Sequence, residues 1–163
     1  VAREYTVGML NQTVTGAVDL AWAFVNPGTT ASLEFLRAWA SQAANATSAQ
    51  QSIALRTQVT AFPTLTSATP RKLKLLDPTS QITGGTAGAA GTAGTNASVA
   101  GAGTKSEVYD DNFNVLNGWL WVPTPRDTIM MNASAASGFG IYAPVQPTTL
   151  TSWSCGLTFA ELG

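Results

Sequence analysis

Near the end of the chain, Trp153, Cys155, Leu157 and Phe159 alternate with Ser154, Gly156, Thr158 and Ala160. A strict period of two marks a half-buried strand, whose successive side chains point to opposite faces; here the apolar face is rich in aromatics. The same period recurs at Tyr5, Val7 and Met9, at Val18, Leu20, Trp22 and Phe24, and at Ile53, Leu55, Thr57 and Val59. Leu33, Phe35 and Trp39 suggest another strand, with Arg37 the odd member of its face. Shorter runs pair Phe113 with Val115, Trp119 with Trp121, and Ile129 with Met131. Ala17 to Val25 also satisfies helical spacing, but it is short and stops at Asn26-Pro27-Gly28, which favours a strand. The Ala-rich stretch from Ser41 to Gln50 is expected to be a loop or a single helical turn.

Turn signals separate these runs: Phe62-Pro63, Thr69-Pro70, Asp77-Pro78, Asn117-Gly118 and Pro123-Thr124-Pro125. About eight or nine short strands with such punctuation predict an all-β fold, a single-domain antiparallel β-sandwich of jelly-roll-like form spanning 1–163. One segment breaks the pattern. Thr83 to Thr104 holds only Gly, Ala, Thr, Ser, Asn and one Val, with Gly85, Gly88, Gly91 and Gly94 at every third position. It is too short and too poor in proline for a collagen-like reading. It is therefore expected to be a loop, either flexible or packed against a neighbouring subunit.

Composition changes the picture toward assembly. The chain has 163 residues, 45% of them hydrophobic but only 10% charged, against about 25% charged in ordinary soluble domains. A surface so short of charge points to a permanent homo-oligomer or larger particle, because interface cores are depleted of charged residues. The net charge of −1 argues against nucleic-acid or anionic-membrane partners, which require a basic face. No run reaches the roughly 20 apolar residues of a membrane span. The opening Val1-Ala2-Arg3-Glu4-Tyr5 has no secretory pattern, and one cysteine fits a reducing birthplace such as the cytoplasm.

Candidate chemistry is sparse. There is no histidine, and Cys155 is the only thiol, which removes His-based triads, His-bound metals, cysteine clusters and internal disulfides. No cofactor is implied. Nine carboxylates remain, yet no pattern selects the facing pair that glycosidase chemistry needs. Asp110-Asp111-Asn112 lacks the spacing of a calcium loop and reads as a polar turn. Gly101-Ala102-Gly103-Thr104-Lys105-Ser106 has a Thr where a phosphate loop requires Gly before Lys. Arg71-Lys72-Leu73-Lys74, the one basic cluster, suits a solvated strand edge or contact with an acidic partner. The tryptophans at 22, 39, 119, 121 and 153 read as core, with sugar stacking as the alternative, and Cys155 reads as an inert core thiol.

Three stretches taken together resemble a known family. They are Ala2-Arg3-Glu4-Tyr5-Thr6-Val7, the block from Phe113-Asn114-Val115 through Gly118-Trp119-Leu120-Trp121 to Pro123-Thr124-Pro125, and the closing Leu157-Thr158-Phe159-Ala160-Glu161-Leu162-Gly163. In this order they resemble small structural proteins of tailed bacteriophages, thought to be head decoration, or cement, proteins. Arg126-Asp127 departs from the acidic residues that tend to follow the Pro-x-Pro element in that family, and the Gly/Ala/Thr segment differs from its middle region. The resemblance implies a non-enzymatic homotrimer bound to the major capsid protein on the outside of an icosahedral head. It implies structural roles for Phe113, Gly118, Trp119, Trp121, Pro123 and Pro125. Contacts with the shell or between subunits are expected from the arm Val1, Ala2, Arg3, Glu4 and Tyr5 and from Gly85, Gly88, Gly91 and Gly94. A carbohydrate-binding β-sandwich of a phage fibre or spike is the alternative function.

Overall fold

The computed structural model describes residues 2–29, 31–43 and 46–163. The contact candidate Val1 lies outside them, as do Ala44 and Asn45 of the Ser41 to Gln50 stretch. Among the described residues the chain forms thirteen strands. In chain order they are β1 (Arg3–Gln12), β2 (Leu20–Val25), β3 (Ser32–Gln42), β4 (Gln50–Val59), β5 (Thr64–Ser67), β6 (Arg71–Lys72) and β7 (Thr83–Gly84). The remainder are β8 (Thr92–Val99), β9 (Thr104–Asn114), β10 (Trp119–Trp121), β11 (Ile129–Met131), β12 (Ser137–Ala143) and β13 (Trp153–Leu162). A six-stranded sheet runs β10-β3-β13-β1-β6, with β11 also on β3, and a seven-stranded sheet runs β5-β8-β2-β12-β4-β9, with β7 on β8. Pairing is antiparallel except for the two-residue β7–β8 contact. The chain changes sheet at each step from β1 to β4 and again from β11 to β13, so most of its long pairings are far apart in sequence. The all-β sandwich expected from the alternation is the observed architecture.

Aromatic side chains from both sheets fill the space between them. Trp22 meets Trp153 with ring centroids 4.6 Å apart, Phe35 meets Phe139 at 4.1 Å, and Tyr5 meets Phe159 at 6.0 Å. The two-residue period of β13 places Trp153, Cys155, Leu157 and Phe159 in this core, all fully buried.

Two bulges explain where simple alternation fails. On β3, Phe35 faces Phe159 but Arg37 faces Thr158, so Leu36 is an extra residue. The bulge reverses the phase of the strand: Ala38 and Ala40 join Leu33 and Phe35 in the core, while Trp39 turns outward with Arg37. The guanidinium of Arg37 then covers the Trp39 ring at 5.3 Å. Trp39 therefore does not share the face of Leu33 and Phe35, and Arg37 is odd only if the bulge is ignored. On β2, Ala23 faces Ile141 and Ala21 faces Tyr142, leaving Trp22 as the extra residue. Trp22 and Phe24 accordingly enter different clusters, Trp22 between the sheets and Phe24 on the outer side with Leu20, Leu65 and Tyr142.

The Gly/Ala/Thr segment is not the expected flexible loop. It supplies β7 and β8, and β8 is an interior strand between β5 and β2. Its small residues are what the packing requires. Ala93 and Ala97 are buried, and a Cβ on Gly94 would lie 2.7 Å from Leu65 Cβ and 2.9 Å from the carbonyl oxygens of Gly85 and Thr66. The turn before β8 is tied down from the far side: the amide of Asn26 donates to the Gly88 carbonyl at 3.1 Å. Gly88 itself has a φ of 58°, a left-handed conformation that favours glycine. Neighbouring strands supply the bulk, so the segment carries no apolar period of its own.

The N-terminal stretch is not a free arm either. β1 lies between β13 and β6, Tyr5 is fully buried, and its hydroxyl donates to the Pro78 carbonyl at 2.9 Å.

Candidate functional site

One side of the sandwich brings together the edges of both sheets. β9 is the edge of the seven-stranded sheet, while β10 and β11 form the facing edge of the other. Most of β9 is exposed, with only Phe113 buried. A bulge leaves Val108 unpaired between Tyr109, opposite Leu55, and Glu107, opposite Arg56. Such a bulge twists an edge away from further strand addition. Arg56, largely buried, fixes this region by pairing with Glu107 at 2.7 Å and with Asp19 at 2.6 Å.

Tyr109 reaches across the seam. Its ring lies 6.5 Å from Trp119 and 6.4 Å from Trp121. Asp111 Oδ2 accepts from Trp119 Nε1 at 3.2 Å and from the Tyr109 hydroxyl at 3.4 Å. Desolvation and the neighbouring Asp111 carboxylate push the Tyr109 phenol above its ordinary value. Beyond this contact the seam opens into a groove of about 420 Å³, lined by Val108, Tyr109, Trp121, Val122, Pro123, Thr124, Asp127 and Ile129. The Pro-x-Pro element builds its wall. Asp127 N donates to Thr124 O at 2.9 Å and Thr124 Oγ1 donates to the Asp127 carboxylate, closing a turn around Pro125.

The opposite edge of the six-stranded sheet carries a second exposed feature. After β6 the chain turns, with Asp77 N donating to Lys74 O at 3.1 Å. Leu75 and Leu76 occupy the tip at 93% and 99% exposure. The base of the turn is held on β1: Leu73 N donates to Glu4 O at 3.0 Å, Lys74 pairs with Glu4 at 3.1 Å, and Glu4 N donates to Asp77 Oδ2 at 3.4 Å. Two adjacent leucines thus project into solvent from a pinned base flanked by Arg71, Lys72 and Lys74. The basic cluster was visible in the sequence. Leu75-Leu76, between that cluster and Asp77-Pro78, was the signal missed.

The expected contact residues divide. Ala2 is exposed, and Arg3 is partly so and donates to Gly163 O at 2.9 Å. Glu4 is partly buried in its ion pair. Tyr5, Gly88 and Gly94 are buried within the chain. Gly85 and Gly91 are half-buried. The motif residues take structural positions: Phe113 packs edge-on against Trp153 at 6.3 Å, and Gly118 turns the chain with a φ of 71°. Trp119 is buried, Trp121 and Pro123 are half-buried, and Pro125 is exposed.

The carboxylates mostly serve as ties. Glu161, fully buried, accepts from the Ser80 hydroxyl and from Gln81 N at 3.1 Å. Among the described residues, no group of three or more Cys, Asp or Glu could hold a metal ion. Cys155 is buried and its thiol donates to the Trp22 carbonyl at 3.4 Å; burial pushes its ionisation far above the ordinary range. Compared with protein-family models, curated proteins and solved structures, the chain matches none of them. The fold and the site together define an all-β sandwich with apolar features at two opposite edges.

Proposed function

We propose that this chain is a structural protein of a phage virion: a decoration, or cement, protein. It binds the major capsid protein as a homotrimer on the outer surface of an icosahedral head, after synthesis in the host cytoplasm. The observation that carries this reading is that a charge-poor sandwich leaves large apolar side chains exposed, among them groups at two opposite edges. Val108, Val122 and Met130 lie along one edge, and Leu75 and Leu76 form the tip on the other. Contiguous exposed apolar surface marks interaction sites. The engagement of Glu4, Asp19, Glu107, Asp111 and Glu161 in ion pairs and hydrogen bonds supports a structural role over an enzymatic one. The three-block resemblance supplies the virion.

A protein that binds only the expanded lattice stabilises it by mass action, about 2.7 kcal/mol per site at a hundredfold excess over its dissociation constant. The test is to add the purified protein to heads that lack it. Saturable binding to expanded heads with raised heat resistance is expected. No binding, or equal binding to unexpanded procapsids without gain in resistance, overturns the reading.

The groove supports a second reading. Tyr109 and Trp121 offer aromatic faces beside the Asp127 carboxylate and the Thr124 hydroxyl, a combination suited to a sugar ring. Under this reading the protein is a carbohydrate-binding module of a fibre or spike. Soluble glycans would then shift tryptophan fluorescence, and Trp121→Ala would abolish the shift.

A further inference from the structure

We infer that copies of this chain join head to tail, the Leu75–Leu76 tip of one seated in the Tyr109–Trp121 groove of the next. The inference rests on the homo-oligomer part of the reading above and assigns its interface. The two features match in chemistry. Both leucines are almost wholly exposed, while the groove has apolar walls from Val108, Trp121, Val122 and Ile129 and a volume of about 420 Å³. Their charges are opposite. The tip edge carries Arg3, Arg71, Lys72 and Lys74 against Glu4 and Asp77, whereas Asp127 lines the groove and the adjoining β9 edge carries Glu107, Asp110 and Asp111 against Lys105, Arg126 and the Arg56 that pairs with Glu107. Opposed potentials of this kind steer encounter and fix register.

The sheet order supplies the geometry. β6 and β10 are the two ends of the β10-β3-β13-β1-β6 sheet, so tip and groove lie on opposite edges of one molecule and cannot meet within it. A contact between two different patches is heterologous, and it closes into a ring when the rotation between copies permits. The tip is held by hydrogen bonds and an ion pair to β1, and the groove wall by the Thr124–Asp127 turn. Both sides are formed before they meet, which limits the ordering cost of association. A second copy fits these observations better than a glycan, because sugar stacking leaves the leucine tip unexplained.

Light scattering after gel filtration of the full chain tests this, with two variants and their mixture. Leu75→Ser/Leu76→Ser removes the tip, and Val122→Asp spoils the groove. The altered side chains are exposed, and circular dichroism checks that the fold persists; Val108→Asp replaces Val122→Asp if the latter unfolds. The parent is expected at about three times the 16.9 kDa chain mass, and each variant alone as a monomer. An equimolar mixture is expected to form a two-chain complex, since one good tip meets one good groove and neither remaining end can propagate. A parent that stays monomeric overturns both the inference and the trimer. Variants that keep the parent mass, or a mixture that stays monomeric, overturn the inference alone. Tip variants that keep the trimer but lose binding to heads would place the leucines against the shell instead, while the decoration role stands.

Discussion

The rings of Tyr109 and Trp121 lie 6.4 Å apart and belong to different sheets, Tyr109 to β9 and Trp121 to β10. Edge strands of two sheets are thereby closed over the core at one side of the sandwich. Removing either ring opens that seam without emptying the interior. Trp121→Ala is expected to cost about 1–2 kcal/mol in urea unfolding, well below the roughly 3–5 kcal/mol of a buried aromatic such as Trp153. A double-mutant cycle of Tyr109→Ala with Trp121→Ala should return a coupling of about 0.5–1.5 kcal/mol. A coupling near zero would mean that the rings do not support each other.

β8 gives the sharpest stability prediction. Gly94→Ala places a methyl against Leu65 and two backbone carbonyls, and overpacking of this kind costs about 1–3 kcal/mol. Deleting residues 84–102 removes the strand between β5 and β2 and uncovers Phe24 and Leu65. Loss of the β circular dichroism signal is expected; a deletion variant that keeps it would return the segment to the status of a dispensable loop.

The difference between this strand and β13 shows what the sequence could reveal. β13 supplies its own large side chains, so its period of two is visible in Trp153, Cys155, Leu157 and Phe159. β8 is filled by its neighbours, and nothing in Ala93, Gly94 or Ala97 announces a buried strand. The bulges at Leu36 and Trp22 are likewise invisible to a fixed period, which is why Trp39 and Phe24 are assigned to the wrong faces by alternation. At the site, the Trp119–Pro125 block was legible because its residues are unusual. The groove itself was not, because β9, which carries Tyr109 and the bulged Val108, is set beside β10 only by its long-range pairing with β4.

Glu161 offers a test of a buried tie. Its carboxylate accepts from Ser80 and Gln81, which bind the stretch before β7 to β13. Ser80→Ala should destabilise by about 1.5–3 kcal/mol, the worth of a hydrogen bond to a charged group. Glu161→Ala should cost at least as much, because it leaves the buried Ser80 hydroxyl and the Gln81 amide without their acceptor. Thermal unfolding of the two single variants and the double variant measures this. If the double variant lost the sum of the two, the groups would be acting independently rather than as one clasp.

Alkaline pH should weaken the fold through buried groups, Cys155 and Tyr142 foremost. Burial pushes the Cys155 thiol and the Tyr142 phenol well above their ordinary values of 9.0 and 10.0; the Arg56 guanidinium, 5.7 Å from the Tyr142 ring, opposes the shift without reversing it. The Tyr142 hydroxyl instead donates to Gln58 Oε1 at 2.5 Å. Below about pH 8 both groups are neutral, folded or unfolded, and their contribution is complete. As pH passes 9 and then 10, the unfolded chain releases these protons while the folded chain keeps them. Each group then lowers the unfolding free energy by up to about 1.4 kcal/mol per pH unit. Urea midpoints should fall steadily from pH 8 to pH 11, and native Cys155 should resist thiol reagents until the chain unfolds. Cys155→Ala should flatten the decline between pH 9 and pH 10. An unchanged slope in that variant would show that the thiol ionises equally in both states, and so that Cys155 is not sealed in the core.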